Sequence, residues 1–329
     1  MTTAAPVTHG ADRIDVHVHF IPDFYRDALV AAGYSKLDGI QALPSWDPTS
    51  ALSAMDELGV RVAVLSASSP GVHFGDDIQA KKLCRQVNEY GAELKLQYPG
   101  RFGHLASVSL PDVNGAIEES TYALDKLGAD GVIVLSNHRG LYLGDEKLEP
   151  FWAALNERSA VVLIHPTAPA ATSSSRIDEK LPLPVMEYFF DTSRSIVDMV
   201  TAGVTRRYQN IRFIVPHAGS ALPILARRID LALPLLTAKR DEPLPTLQEA
   251  MRNFHFDLAG VPVPELLSAL LSLIDESHLH YGSDYPFTPL PACKQLLGAL
   301  AATPLLSEAA RVGMFGNNAK QLFPKLVAL

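Results

Sequence analysis

The sequence predicts an α/β fold in which eight parallel strands close into a TIM (β/α)8 barrel, distorted by long loops after strands one and five. Eight short apolar runs alternate with helical spacing over roughly 300 residues, which is the arithmetic of such a barrel. Several of the runs are near-continuous in apolar residues, as strands buried on both faces require. The rival, a doubly wound open sheet, usually carries a Gly-rich phosphate turn after its first strand, and none is present here. The chain has 329 residues, 47% of them hydrophobic, so one barrel domain over 1–329 is expected.

"RIDVHVHFIP" (13–22) is β-branched and alternating, so it reads as strand one. Side chains alternate faces along a strand, which places Asp15, His17 and His19 on one face and Ile14, Val16, Val18 and Phe20 on the other. Strands two to four are read at 60–68, 102–110 and 129–136, and strands five to eight at 160–166, 211–218, 254–260 and 279–286. Helices are expected at 47–59, 75–94, 114–128 and 148–159. The first opens on a cap-like Asp47 with Pro48 at its first position and closes on Gly59. Three connections are long: 21–46, 167–184 and 234–246. The first two would lie at the C-terminal mouth of the barrel, where active sites are built.

The net charge of −8 is spread along the chain without a Lys/Arg run, which argues against a nucleic-acid partner. Two cysteines, Cys84 and Cys293, cannot make a disulfide framework and read as packed or idle thiols. The segment "MTTAAPVTHGADR" has no apolar signal core and no stretch reaches transmembrane length, so a cytoplasmic protein that does not engage a membrane is expected.

Polar groups gather at the strand ends. Strand one carries His17 and His19, strand five ends in His165, strand six in His217 and strand eight in Asp284. A lone histidine at any of these places would read as a satisfied core residue. In a barrel all five converge on one mouth, and that convergence points to a mononuclear metal site. His73 and His138 also follow strand ends and read as loop histidines near the rim. His9, His104, His255, His278 and His280 read as structural or exposed, and Asp15 as a group that orients a ligand or pairs with a cation at the barrel floor.

His17-x-His19, His165, "HAGS" (217–220) and "GSDYP" (282–286), in this order, resemble the amidohydrolase superfamily over nearly the whole chain. They most resemble its branch of 2-amino-3-carboxymuconate-6-semialdehyde decarboxylase and the metal-dependent hydroxybenzoate decarboxylases. The resemblance implies one divalent metal held by His17, His19, His165 and Asp284, with His217 as an acid/base beside it. Zn²⁺ is expected first and Mn²⁺ second, since mixed nitrogen and oxygen ligation fits both. Many hydrolytic members bridge two metals with a carboxylated lysine at the end of strand four. Here that strand ends "VLSNHRG", with Asn137 and no lysine, which argues for one metal and against hydrolysis.

The muconate-semialdehyde branch uses an arginine ahead of a Trp-Asp-Pro turn. This chain has Trp46-Asp47-Pro48 but no arginine between Asp27 and Trp46, which argues against a dicarboxylic substrate. "SSPGVHFGDD", "YLGD" and "FFDTSR" are most similar to the 6-methylsalicylate decarboxylase branch. Phe189, Phe287 and Asn137 are then expected to line the substrate pocket, with Phe190 packed in the core. Arg228, eleven residues after His217, sits where the family's arginine can reach a neighbouring subunit's site, which implies a homodimer or homotetramer. The expected reaction is metal-dependent, non-oxidative decarboxylation of an ortho-hydroxybenzoic acid, with Asp284 or His217 supplying the proton. Hydrolysis of a lactone or amide by the same site, or a metal-binding barrel without catalysis, are the alternatives.

Overall fold

The computed structural model describes residues 12–170, 181–237 and 245–326. Eight parallel strands follow one another around a single sheet: β1 (Arg13–His19), β2 (Val60–Ser66), β3 (Phe102–Ala106), β4 (Gly131–Leu135), β5 (Val161–His165), β6 (Arg212–Val215), β7 (His255–Asp257) and β8 (Leu279–His280). The ring closes between β8 and β1. Val16 N–H donates to Tyr281 O at 3.0 Å, Asp284 N–H to His17 O at 2.8 Å and His19 N–H to Tyr285 O at 2.7 Å. The barrel and the order of its strands are as the sequence predicts. The later strands are shorter, because their polar ends at 216–220 and 281–286 leave the ladder as turns that carry functional groups.

Helices wrap the strands where the periodicity places them, at Pro48–Leu58, Asp77–Gln97, Val113–Asp125 and Glu149–Glu157. Asp47 caps the first of these by accepting from Ser50 N–H, and Gly59 ends it in a left-handed conformation. The outer faces of the strands and these helices share one large apolar cluster. A second cluster fills the barrel, with Ile14, Val16, Val62, Val64 and Leu163 packed against Leu322, Phe323 and Leu326 from the C-terminal segment. Each such side chain contributes about 1.5–3 kcal/mol when fully buried, so the C-terminal plug stabilises the floor under the site.

β1 departs from strict alternation. From the pair Asp15↔Ala63 to the pair Val18↔Leu65, β1 advances three residues and β2 two, so β1 carries an extra residue. Ile14 and Val16 therefore face the interior below the bulge, and His17 and His19 reach the mouth above it. Asp15 turns outward to Ala51, Met55 and Leu58 of the first wrapping helix. The expectation that Asp15 shares the histidine face is corrected. It accepts from His17 N–H and Ser283 N–H, each at 3.1 Å, and so ties β1 to the chain after β8.

The loop after β1 contains a helix, Asp23–Ala31, and a short turn at Leu37–Gly39. Of the loop after β5, residues 171–180 lie outside the described part, as do 238–244 of the third long connection and His9. Among the described residues no helix is long and apolar enough to cross a membrane.

Candidate metal centre

The structure brings His17, His19, His165 and Asp284 together at the mouth, with one ligand atom from each lying within 4.8 Å of the others. His17 Nε2 is 3.2 Å from His19 Nε2, and Asp284 Oδ1 is 3.1 Å from His19 Nε2 and 3.5 Å from His17 Nε2. His17 and His19 come from the bulged end of β1 and His165 from the end of β5. Asp284 sits after β8 in a left-handed conformation, φ 58°, held by its own N–H bond to His17 O.

What stands behind each ring decides what it presents in front. His17 Nδ1–H donates to Asp257 Oδ2 at 2.9 Å. His19 Nδ1–H donates to Ser66, whose carbonyl is at 3.2 Å and whose Oγ is at 3.0 Å; that hydroxyl passes its own hydrogen to Val18 O. His165 Nδ1–H donates to Pro166 O at 2.7 Å. Each imidazole is thus fixed as the tautomer whose Nε2 offers a lone pair to the common point. Three ring lone pairs and a carboxylate aimed at one point repel one another unless a cation sits among them. That donor set fits one divalent metal ion.

The charges agree. Burial opposes a charge on His17, yet Asp257, Asp284 and Asp15 outweigh it and hold the imidazolium to about pH 9. Burial, with His19 and His17 nearby, holds His165 well below the usual histidine range. Burial alone would raise the Asp284 carboxyl, but the neighbouring His19, His217 and His17 rings outweigh it and hold it well below the usual carboxylate range. The carboxylates around His17 favour positive charge at this point, and a metal ion held there would take the place of that ring's proton.

His217 lies beside the four, its Nε2 3.7 Å from Asp284 Oδ2 and its ring stacked on Phe189 at 5.5 Å between centroids. Its backbone is left-handed, φ 53°, and its N–H donates to Asp257 Oδ1 at 3.1 Å. Asp257 therefore serves both histidines, and the sequence reading missed it. The available signal was a lone carboxylate at the end of the apolar strand "FHFDLAG".

A cavity of about 340 Å³ opens over His165, His217 and Asp284, with Leu37, Ile40, Val185, Tyr188, Phe189 and Phe287 among its walls. Phe287 meets the His19 ring edge-on at 5.6 Å. Phe189 and Phe287 thus lie where the sequence reading expects them, whereas Phe190 is 46% exposed instead of packed in the core. Asn137 is not brought to the cluster. Its amide donates to Ala168 O and Asp191 Oδ2, and it lines a neighbouring cavity with His73 and His138, which are buried and not on the rim. Arg228 lies on the exposed side of the helix Leu222–Thr237, outside this chain's own cavity.

A profile of the amidohydrolase family matches residues 14–325. The chain belongs to the amidohydrolase family. Decarboxylase yanB of Aspergillus niger is 36% identical over 326 residues, covering 95% of this chain and 88% of that protein. The 6-methylsalicylic acid decarboxylase acuB of Aspergillus aculeatus is 37% identical over 325 residues, covering 95% and 96%. Among solved structures, one described as amidohydrolase II superposes with a TM-score of 0.89 at 36% identity, covering 95% of this amidohydrolase and 99% of that chain. A dihydroxybenzoic acid decarboxylase from Polaromonas sp. JS666, with bound manganese and 2-nitroresorcinol, shares the fold with a TM-score of 0.81 at 23% identity, covering 95% and 97%.

Proposed function

We propose that this chain is a metal-dependent, non-oxidative decarboxylase of an ortho-hydroxybenzoic acid, with 6-methylsalicylate the first substrate to try. The observation that carries the reading is the pairing of a four-donor, single-metal cluster with an aromatic-walled cavity and His217 at its edge. The likeness to a 6-methylsalicylic acid decarboxylase over 95% of the chain supports the substrate. When bound by His17, His19, His165 and Asp284, a divalent ion supplies a Lewis-acid anchor for the substrate's carboxylate and adjacent hydroxyl. Manganese, bound in the Polaromonas structure, is the first ion to load; zinc, which the ligand types also allow, is the second.

The protein's own groups do the rest. Phe189 and Phe287 hold the ring, and the apolar wall of Leu37, Ile40 and Val185 keeps water from it. The pair His217 Nε2 and Asp284 Oδ2 holds a proton for the ring carbon that bears the carboxylate. Once that carbon is protonated, its bond to the carboxylate breaks. The bonding electrons restore the aromatic ring and CO₂ departs, so no redox partner is required.

We further place Arg228 at the substrate of a neighbouring subunit. Ile224, Leu231 and Leu235, all more than 70% exposed, flank it on the same helix as an apolar stripe suited to a second copy of this chain. Cys84 and Cys293, both buried and free, suit a reducing cytoplasm. The deciding experiment measures CO₂ release from 6-methylsalicylate and a panel of hydroxybenzoates by protein of known metal content. Release that a chelator abolishes and one metal restores is the expected result. A metal-loaded protein that leaves every phenolic acid intact would sink the reading and send the sample to a lactone panel.

A further inference from the structure

The barrel mouth carries a second cavity, also of about 340 Å³, over the ends of β2 to β5. A thin polar partition divides it from the metal cavity. Ser69 and Thr167 pair their hydroxyls there at 2.7 Å, and Asp38 Oδ2 accepts from Ser69 Oγ at 3.4 Å and from the Tyr188 hydroxyl, which belongs to the metal cavity's wall. Asp38 itself lines the second cavity, and its Oδ1 has no hydrogen-bond partner among the described residues.

The opposite character stands at the rim. Arg139 lines the cavity from the short hairpin after β4 and is exposed. Its guanidinium makes no hydrogen bond or ion pair among the described residues. The other walls are mixed: Val72, Val108, Leu110 and Leu135 supply apolar surface, and His73, Asn137 and His138 stand among them. The cavity therefore offers an acceptor on one wall, a planar cation at the exposed hairpin, and apolar side chains on which a ring can rest. Its volume suits one aromatic ring with small substituents.

We propose that this cavity is a second binding site, for a small aromatic carboxylate that bears a hydroxyl remote from its carboxylate. The carboxylate pairs with Arg139, where a planar fork matches it. The ring lies against Val72, Val108, Leu110 and Leu135, and the hydroxyl donates to Asp38 Oδ1. A ligand of this shape lacks the two adjacent oxygens that a metal chelate needs, so the two cavities select different isomers. The proposal stands on the cavity and does not depend on the decarboxylase reading.

The test uses the metal-loaded protein and 4-hydroxybenzoate, titrated by calorimetry. The Arg139→Gln variant is expected to weaken binding about tenfold, the worth of one charge-assisted hydrogen bond. Phe189→Ala, in the other cavity, is expected to leave it unchanged. Benzoate, without the hydroxyl, is expected to bind more weakly than 4-hydroxybenzoate. Absence of binding, binding indifferent to Arg139→Gln, or binding lost with Phe189→Ala would each overturn the site. CO₂ release by Arg139→Gln at wild-type rate keeps this outcome separate from that of the decarboxylation assay.

Discussion

At the scale of single residues, the site works by what stands behind the ligands. Asp257 accepts three backbone or ring hydrogens on two oxygens: His17 Nδ1–H on Oδ2, and the N–H groups of His217 and Ala259 on Oδ1. An asparagine has one acceptor oxygen, so Asp257→Asn must turn an amide N–H toward a donor on one side. The expected outcome is a loss of metal affinity of about 10–100-fold, read by titration against a metal buffer. Unchanged affinity would remove Asp257 from the support of the site. His217 and the four ligand candidates were legible in the sequence because histidines and an aspartate at the ends of several barrel strands, all facing one mouth, are rarely idle. Asp257 was not, because a single carboxylate within the run Phe254-His255-Phe256-Asp257-Leu258 looks like an ordinary strand end. Asp15 was misplaced because periodicity cannot see an extra residue in a strand.

Another residue-scale prediction concerns pH. His104 of β3 is buried against Gly91, neither ring nitrogen has a hydrogen-bond partner among the described residues, and burial, helped by the charge of Lys95, lowers its pKa to about 3. The unfolded chain takes a proton there near pH 6.5, and the folded chain does not. Stability is therefore complete above that pH and drains away as the pH falls toward about 3. Within that window the wild type should lose about 1.4 kcal/mol per pH unit more than His104→Leu, read by urea unfolding at a series of pH values. Parallel curves for the two proteins would show that His104 takes its proton in the folded state.

At the scale of elements, the site depends on how closely β8 and its extension approach β1 and β7. A Cβ placed on Gly282 would fall 2.8 Å from His17 Cβ and 3.2 Å from Asp257 Cβ. The sequence motif "GSDYP" holds a glycine there because no side chain fits between a ligand and the residue that orients it. Gly282→Ala is expected to cost about 1–3 kcal/mol of stability by overpacking, and to weaken metal binding as well. Thermal unfolding with and without metal checks both; a variant as stable as wild type in each state would show that the strands can part. The strand and helix order was legible because apolar runs and helical spacing alternate cleanly. The lengths were not. "LHYGSDYP" is apolar enough to read as one long strand, yet only Leu279–His280 stay in the ladder, since Gly282 to Asp284 must turn to aim a carboxylate inward.

At the scale of the whole molecule, the proposed site is divided between what one chain holds and what a second would bring. The helix Leu222–Thr237 shows Ile224 at 74%, Leu231 at 76% and Leu235 at 82% exposure, with Arg228 in the same stripe. Leaving three such side chains in water forgoes about 1.5–3 kcal/mol each, which a facing copy would recover. Leu231→Asp buries a charge in that contact and is expected to yield monomers by light scattering. His217→Ala should retain its metal yet lose turnover, because Phe189 would still shape the cavity but no imidazole would share a proton with Asp284. Arg228→Ala should lose turnover for a different reason, at the neighbouring subunit's substrate. Mixed and allowed to exchange subunits, the two inactive proteins form hybrids in which one site has His217 of its own chain and Arg228 of the other. Partial return of CO₂ release is the expected result. If the mixture stays inactive while the subunits demonstrably exchange, Arg228 acts within its own chain or stands in solvent, and the substrate pocket is complete in a single copy.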